Sequence, residues 1–142
     1  MRQVDVAIIG GGPAGLAAAV ELWKKGVRNL VILEREKQLG GILRQCIHDG
    51  FGLRRFKETL SGPEYAQRFI DLVQELGIPY ITEATVIRIT EDKQVYAAAP
   101  KGMVEIQAKA VILTMGCRER TRGAISIPGN RPAGVYTAGT AQ

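Results

Sequence analysis

The chain has few aromatic residues, one histidine and two cysteines, and each scarcity removes a class of function. Cys46 and Cys117 lie far apart and belong to no CxxC or metal-ligand spacing, so no metal site is expected. A structural disulfide is not expected either, since few persist in a reducing compartment. A net charge of +5 raises the question of nucleic acid, but aromatics are only 6% of the residues. The basic residues are dispersed, with small clusters at Arg54-Arg55-Lys57 and at 118–122 that no aromatic interrupts. A solvated face or contact with an anionic cofactor fits this pattern; a nucleic-acid partner does not. Residues 6–20 carry no charge, yet four glycines and a proline break them and Asp5 stands at their start. They are also short of the ~20 residues of a membrane span. Neither a span nor a signal peptide is expected, and the chain reads as cytoplasmic.

What is present is an ordinary globular composition, 46% hydrophobic and 23% charged over 142 residues, with no internal repeat. A chain of this size forms one domain that buries roughly 70% of its unfolded surface. Its organising stretch is residues 4–34. An apolar run at 6–9 stops at Gly10-Gly11-Gly12-Pro13-Ala14-Gly15, a helical pattern follows at 14–25, and a second apolar run at 30–33 ends on Glu34. Strand, glycine turn, helix, strand and acid in this register form the first unit of a dinucleotide-binding fold. Gly10 lets the chain leave the strand tightly, Gly12 offers bare backbone to a pyrophosphate, and Gly15 lets helix and strand approach. Pro13 suits a first helical turn, and the free N–H groups there favour phosphate. Glu34, nineteen positions after Gly15, stands where a carboxylate binds ribose hydroxyls and would repel a 2′-phosphate.

Further along, Gly40-Gly41 closes a loosely patterned loop, and a short helix can follow it. A helix is expected over 63–76, with Ser61 and Glu64 at capping-box spacing and an apolar stripe of Tyr65, Phe69, Leu72, Val73 and Leu76. Residues 78–81 read as a third parallel strand. Residues 84–90, 94–98 and 103–108 read as a small antiparallel meander. Residues 110–116 read as another continuously apolar strand, ending Leu113-Thr114-Met115-Gly116, that returns to the parallel sheet.

These features together resemble the pyridine nucleotide–disulfide oxidoreductase superfamily, the two-dinucleotide-binding flavoproteins. The Gly10/Gly12/Gly15 turn, Glu34, the Gly40-Gly41 pair six residues later and the Thr114-Met115-Gly116 strand end carry the likeness. Finer stretches, Gly41 to His48, Phe56-Lys57-Glu58, Gly62-Pro63-Glu64-Tyr65 and Gly116-Cys117-Arg118-Glu119-Arg120, are similar to the opine-oxidase and cyanide-synthase subunit type, whose relatives also accompany glycerol-3-phosphate dehydrogenases.

The resemblance implies an α/β, Rossmann-like FAD-binding domain: a parallel sheet with helices and a small antiparallel meander. It implies that residues 1–116 are the first half of an interrupted FAD domain and 117–142 a linker toward an NAD(P)-binding domain absent from the chain. FAD-binding positions are then Gly10, Gly12, Pro13, Ala14, Gly15, Glu34, Arg35, Gly41, Val86 and Gly116. For Val86, backbone contact with adenine and a plain strand role are equally open. A redox cysteine pair would follow the glycine pair in disulfide reductases; only Cys46 stands there, so no dithiol relay is expected. Residues 134–140 look like the family's late flavin motif, but Thr140 replaces its acid, and the segment is read as linker. No catalytic residue is assigned. His48 reads as a loop histidine before a proton-transfer group, Cys46 and Cys117 as buried residues before flavin-facing thiolates, and Arg118 and Arg120 as solvated.

The implied activity is hydride transfer through flavin between NAD(P) or an organic substrate and an acceptor, with little turnover by this chain alone. Two rivals remain at this point: a simple NAD-binding dehydrogenase domain, and a non-catalytic FAD-carrying subunit. Expected partners are a small redox substrate, a separate dehydrogenase chain and, as an open option, a second copy in a homodimer.

Overall fold

A computed structural model describes residues 1–130, 132–137 and 140. Its centre is a six-stranded mixed sheet in the order β5-β2-β1-β8-β7-β6. β1 (Arg2–Ile9) pairs in parallel with β2 (Leu30–Leu33) on one side and with β8 (Gly102–Leu113) on the other. β5 (Tyr80–Ile81) extends the parallel half beyond β2. β6 (Thr85–Ile89) and β7 (Gln94–Ala99) complete the antiparallel half against β8.

The two helices cover one face. α1 (Pro13–Lys24) carries Leu16, Ala19 and Val20 inward, and α2 (Gly62–Glu75) carries Phe69, Ile70 and Val73. They meet Val6, Ile8, Leu30 and Ile32 of the sheet. The other face holds Ala7, Ile9, Val31 and Leu33, covered by Ala84, Val95, Ala97 and Ile106 of the meander side. β2 is buried on both faces, which is why its four residues are apolar without alternation. Each fully buried Leu, Ile or Val contributes about 1.5–3 kcal/mol of transfer free energy.

The expected helices begin one residue earlier than the sequence pattern indicates, and the capping box at Ser61 is formed. Three readings are corrected. The last meander strand and the parallel strand after it are one element, β8, which passes from β7 to β1 without a break. Of residues 78–81 only Tyr80 and Ile81 pair, because Pro79 cannot donate to a ladder. The stretch between the glycine pair and α2 holds a short 3-10 helix (Gly41–Gln45) and an antiparallel ribbon of β3 (Asp49–Phe51) and β4 (Leu60–Ser61), a ribbon the sequence pattern does not reveal.

After β8 the described residues form turns and no helix or strand element. The linker expected at 117–142, and the flavin-like segment within it, include Arg131, Ala138, Gly139, Ala141 and Gln142, which lie outside the described residues. Among the described residues no helix is long and apolar enough to cross a membrane.

Candidate functional site

The registers align Ile9, Leu33 and Leu113 side by side, so three parallel strands end in one row. The next residue of each, Gly10, Glu34 and Thr114, therefore forms a common corner at the carboxyl edge of the sheet. Ligands of open α/β sheets bind at that edge.

Hydrogen bonds hold this corner from every side. The Gly10 amide donates to the Leu33 carbonyl at 2.8 Å, and the Thr114 amide to the Ile9 carbonyl at 2.8 Å. The Thr114 hydroxyl lies 2.9 Å from the carbonyls of both Ile9 and Gly10. The Gly40 amide donates to the Gly11 carbonyl at 2.8 Å. Gly10 has φ +108°, and a Cβ there would sit 2.4 Å from the Thr114 carbonyl oxygen. At Gly15 a Cβ would meet the Gly10 carbonyl oxygen at 1.9 Å, so the helix rests directly on the turn.

Gly12 is different. A Cβ there would meet only the Gly41 Cα, at 3.8 Å, and Gly12 is the N-cap residue of α1 in an ordinary extended conformation. Bare backbone of Gly12 thus faces bare backbone of Gly41. No side chain caps the first turn of α1, and that turn carries no acid. Its amides lack intrahelical acceptors, as those of every helix start do, and they carry the positive end of the helix dipole.

Glu34 is 5% exposed, the one charged side chain among the buried described residues. Its Oε2 accepts the Gly11 amide at 2.6 Å and its Oε1 the Glu36 amide at 2.8 Å. Each oxygen keeps a lone pair for a further donor. The carboxylate is thereby oriented by backbone, beside the glycine turn. The next segment over is also fixed: the Ala84 amide donates to the Glu34 carbonyl at 2.9 Å and the Glu83 amide to that of Glu36 at 3.0 Å.

The structure brings Gly10, Gly12, Pro13, Ala14, Gly15, Glu34 and Gly41 into this one corner. Val86 follows two residues after Ala84, half-buried and paired with Ala97. Arg35 is exposed and paired with Glu36 at 3.2 Å, with no hydrogen bond to the turn among the described residues. Gly116 stands two residues past Thr114, exposed, with φ +70°. Sequence reasoning missed Gly11, whose amide orients Glu34, and Thr114 as the clamp on the turn; a hydroxyl just past an apolar strand was the available signal.

His48 is exposed, its Nδ1 3.2 Å from the Asp49 carbonyl and its ring beside Phe51. Cys46 is buried, with its thiol 3.4 Å from the Ile42 carbonyl. Cys117, expected to be buried, is exposed: it lies past the end of β8, where no helix or strand among the described residues follows.

Residues 4–137 match the family described as pyridine nucleotide-disulphide oxidoreductase. An opine oxidase subunit from Agrobacterium tumefaciens (strain Ach5) is 35% identical over 97% of this chain and 28% of its own length. The hydrogen cyanide synthase subunit HcnB of Pseudomonas protegens is 28% identical over 99% of this chain and 29% of its own. The solved structure of L-proline dehydrogenase from P. horikoshii superposes with a TM-score of 0.68 and 27% identity, over 80% of this chain and 22% of that one. The chain therefore spans less than a third of the length of these relatives. The match over residues 4–137 places the chain in the pyridine nucleotide-disulphide oxidoreductase family.

Proposed function

We propose that the corner holds FAD, with its pyrophosphate against Gly10, Gly12 and the first turn of α1 at Pro13, Ala14 and Gly15. Gly41 closes on the pyrophosphate from the opposite side. Glu34 accepts the adenosine ribose hydroxyls on its free lone pairs, Arg35 lies beside them, and the Val86 backbone borders adenine. Gly116, past the end of β8, borders the flavin. The observation that carries this reading is the pair of facing glycine backbones at an uncapped helix start, a cradle any Cβ at Gly41 would enter, since it would meet the Gly12 Cα at 2.9 Å. A buried carboxylate one residue past β2 selects a ribose diol and disfavours a 2′-phosphate.

Bound FAD supplies two-electron, hydride-level redox chemistry; the chain binds it, orients it and shields its phosphates from water. Glu34 stays in place because the Gly11 and Glu36 amides hold it, and Thr114 keeps the turn at the height the pyrophosphate needs. In the longer protein the reducing equivalents pass between NAD(P)H or an organic substrate and an acceptor. The nicotinamide is carried by a domain outside this chain, toward which residues 117–142 lead. Residues 1–116 are then the first part of an interrupted domain. From Lys109 onward β8 has β1 on one edge and no strand on the other among the described residues, and Leu113 is 57% exposed. Both features support a covering segment from elsewhere in the protein. Two relatives bear names of enzyme subunits, which supports work beside a partner chain.

The test is titration of the purified protein with FAD and with NAD, for the native sequence and for Glu34→Gln. FAD is expected to bind and raise the melting temperature, and NAD to bind far more weakly. Glu34→Gln turns an amide donor toward one of two backbone N–H groups, so FAD affinity is expected to fall about 10–100-fold. Tight NAD binding without flavin affinity would overturn the proposal.

A further inference from the structure

The stretch between the 3-10 helix and α2 borders an open cavity of about 490 Å³, together with Pro13 of α1, Leu43 and Tyr65. That volume lies within the roughly 300–1,000 Å³ of ordinary small-molecule sites. Its walls are the Pro13 ring, Leu43, Phe51 and Tyr65, and its charged groups are Arg54 and Arg55. No acid lines it. Neither arginine forms an ion pair among the described residues, whereas nearby Arg68 is paired with Glu58 at 2.6 Å. Arg55 lies 5.9 Å from the Phe69 ring centre, so its guanidinium has an aromatic neighbour and no counter-charge.

The cavity is a built one. The Phe56 amide donates to the Gly52 carbonyl at 2.7 Å, and β3, whose Gly50 and Phe51 line the cavity, is held by pairing with β4. Tyr65 stacks with Phe51, Phe56 and Phe69 at centroid separations of 6.2, 5.5 and 5.4 Å, fixing the aromatic wall. An apolar aromatic wall beside two unpaired guanidinium groups matches a planar two-oxygen anion on an apolar body. A free inorganic anion would leave the apolar wall unused.

We propose that this cavity binds a small organic carboxylate with an apolar body, beside the dinucleotide and separate from it. Pro13 is shared by the two sites, one face of its residue bordering the turn and its ring walling the cavity, so the ligand would sit next to the start of α1.

The experiment is a binding titration of the protein with benzoate, and with benzyl alcohol as the uncharged match, with and without saturating FAD. Benzoate is expected to bind at least about tenfold more tightly than benzyl alcohol, and Arg54→Gln with Arg55→Gln is expected to remove that advantage. Both arginines are exposed, so the double variant should keep the native melting temperature, which is measured alongside. A Lys double variant, charged but unable to form the bidentate contact, is expected to recover part of the affinity. Equal binding of the two probes, no binding of benzoate, or unchanged affinity in the double Gln variant would each overturn the proposal. So would exclusion of benzoate by FAD, which would make the cavity part of the dinucleotide site. Loss of FAD binding with benzoate binding intact would instead sink the reading of the corner alone.

Discussion

The two helices carry the same dipeptide at their starts, one position apart, and reach opposite outcomes. In α1 Gly12 is the N-cap and Pro13 the first residue; in α2 Ser61 is the N-cap and Gly62-Pro63 the first two residues. At α2 the Glu64 carboxylate takes the Ser61 amide at 2.8 Å and the Ser61 hydroxyl at 2.7 Å, so the helix start carries its own anion. At α1 there is no side-chain cap and no acid in the first turn. Proline sets the backbone at both starts; what differs is whether the chain supplies the negative charge. A helix start that leaves its dipole unanswered is one that a phosphate can answer. Stability is built into the second start, and binding into the first.

The largest expected effect comes from destroying the corner on which the open start rests. Gly15→Ala would place a methyl group 1.9 Å from the Gly10 carbonyl and 2.8 Å from the Thr114 hydroxyl. Backbone must move, costing about 3 kcal/mol, and denaturant unfolding should show it as a lower midpoint together with lost FAD binding. An unaltered midpoint would mean that the helix does not rest on the turn.

Next in size, and sharper, is making the first start like the second. Gly12→Asp is sterically allowed, since a Cβ there meets only ordinary contact. An N-cap carboxylate should add a few tenths to about 1 kcal/mol of stability to the free protein. Its charge would also lie where the pyrophosphate binds, and repulsion of about 4 kcal/mol at that range corresponds to a loss of roughly 1,000-fold in FAD affinity. A raised melting temperature with abolished flavin binding is the expected pair of results. Gain of both would dissolve the contrast between the helix starts.

A smaller effect is expected from Thr114→Val, which keeps the shape and removes the hydroxyl bonded toward Ile9 and Gly10. About 1 kcal/mol of stability should be lost. FAD affinity should fall about fivefold, as the turn loosens. Equal affinity would show that the backbone bonds alone hold the turn.

Much of this contrast is legible in the sequence, and the reasons are physical. A Cβ at Gly10 or Gly15 would collide with backbone, and Gly12 and Glu34 stand at the spacing a dinucleotide turn uses, so the spacing announces the set. Ser61 and Glu64 announce a closed cap in the same way. The bond from the Gly11 amide to Glu34 spans 23 residues and follows no period, so it is invisible there. β8 reads as two strands because charged Lys109 separates its two apolar runs, although β1 on one edge and β7 on the other overlap at Ile106 and Gln107 and make it continuous. β3 and β4 are three and two residues long and include Gly50, too short for an alternation to show. The arginine-lined cavity is present in the sequence only as a basic cluster, since the aromatic wall comes in part from a helix further along the chain.

The smallest effect tests the closed start, and pH supplies its sign. The Ser61 amide, then the Ser61 hydroxyl, hold the Glu64 carboxyl below its ordinary value near 4.5, with Arg68 adding a little. A carboxyl lowered in the folded state stabilises that state above its ordinary value and loses the contribution as pH falls through the lowered one. Glu64→Ala should therefore lower the melting temperature slightly at neutral pH and converge with the native protein in acid, below the lowered value. FAD affinity should be unchanged throughout, because α2 begins away from the corner and its anion is its own. A melting difference that persisted in acid would mean that packing, and not charge, accounts for the cap. A loss of flavin binding in this variant would mean that the two helix starts are coupled, and that the division between a structural start and a binding start is false.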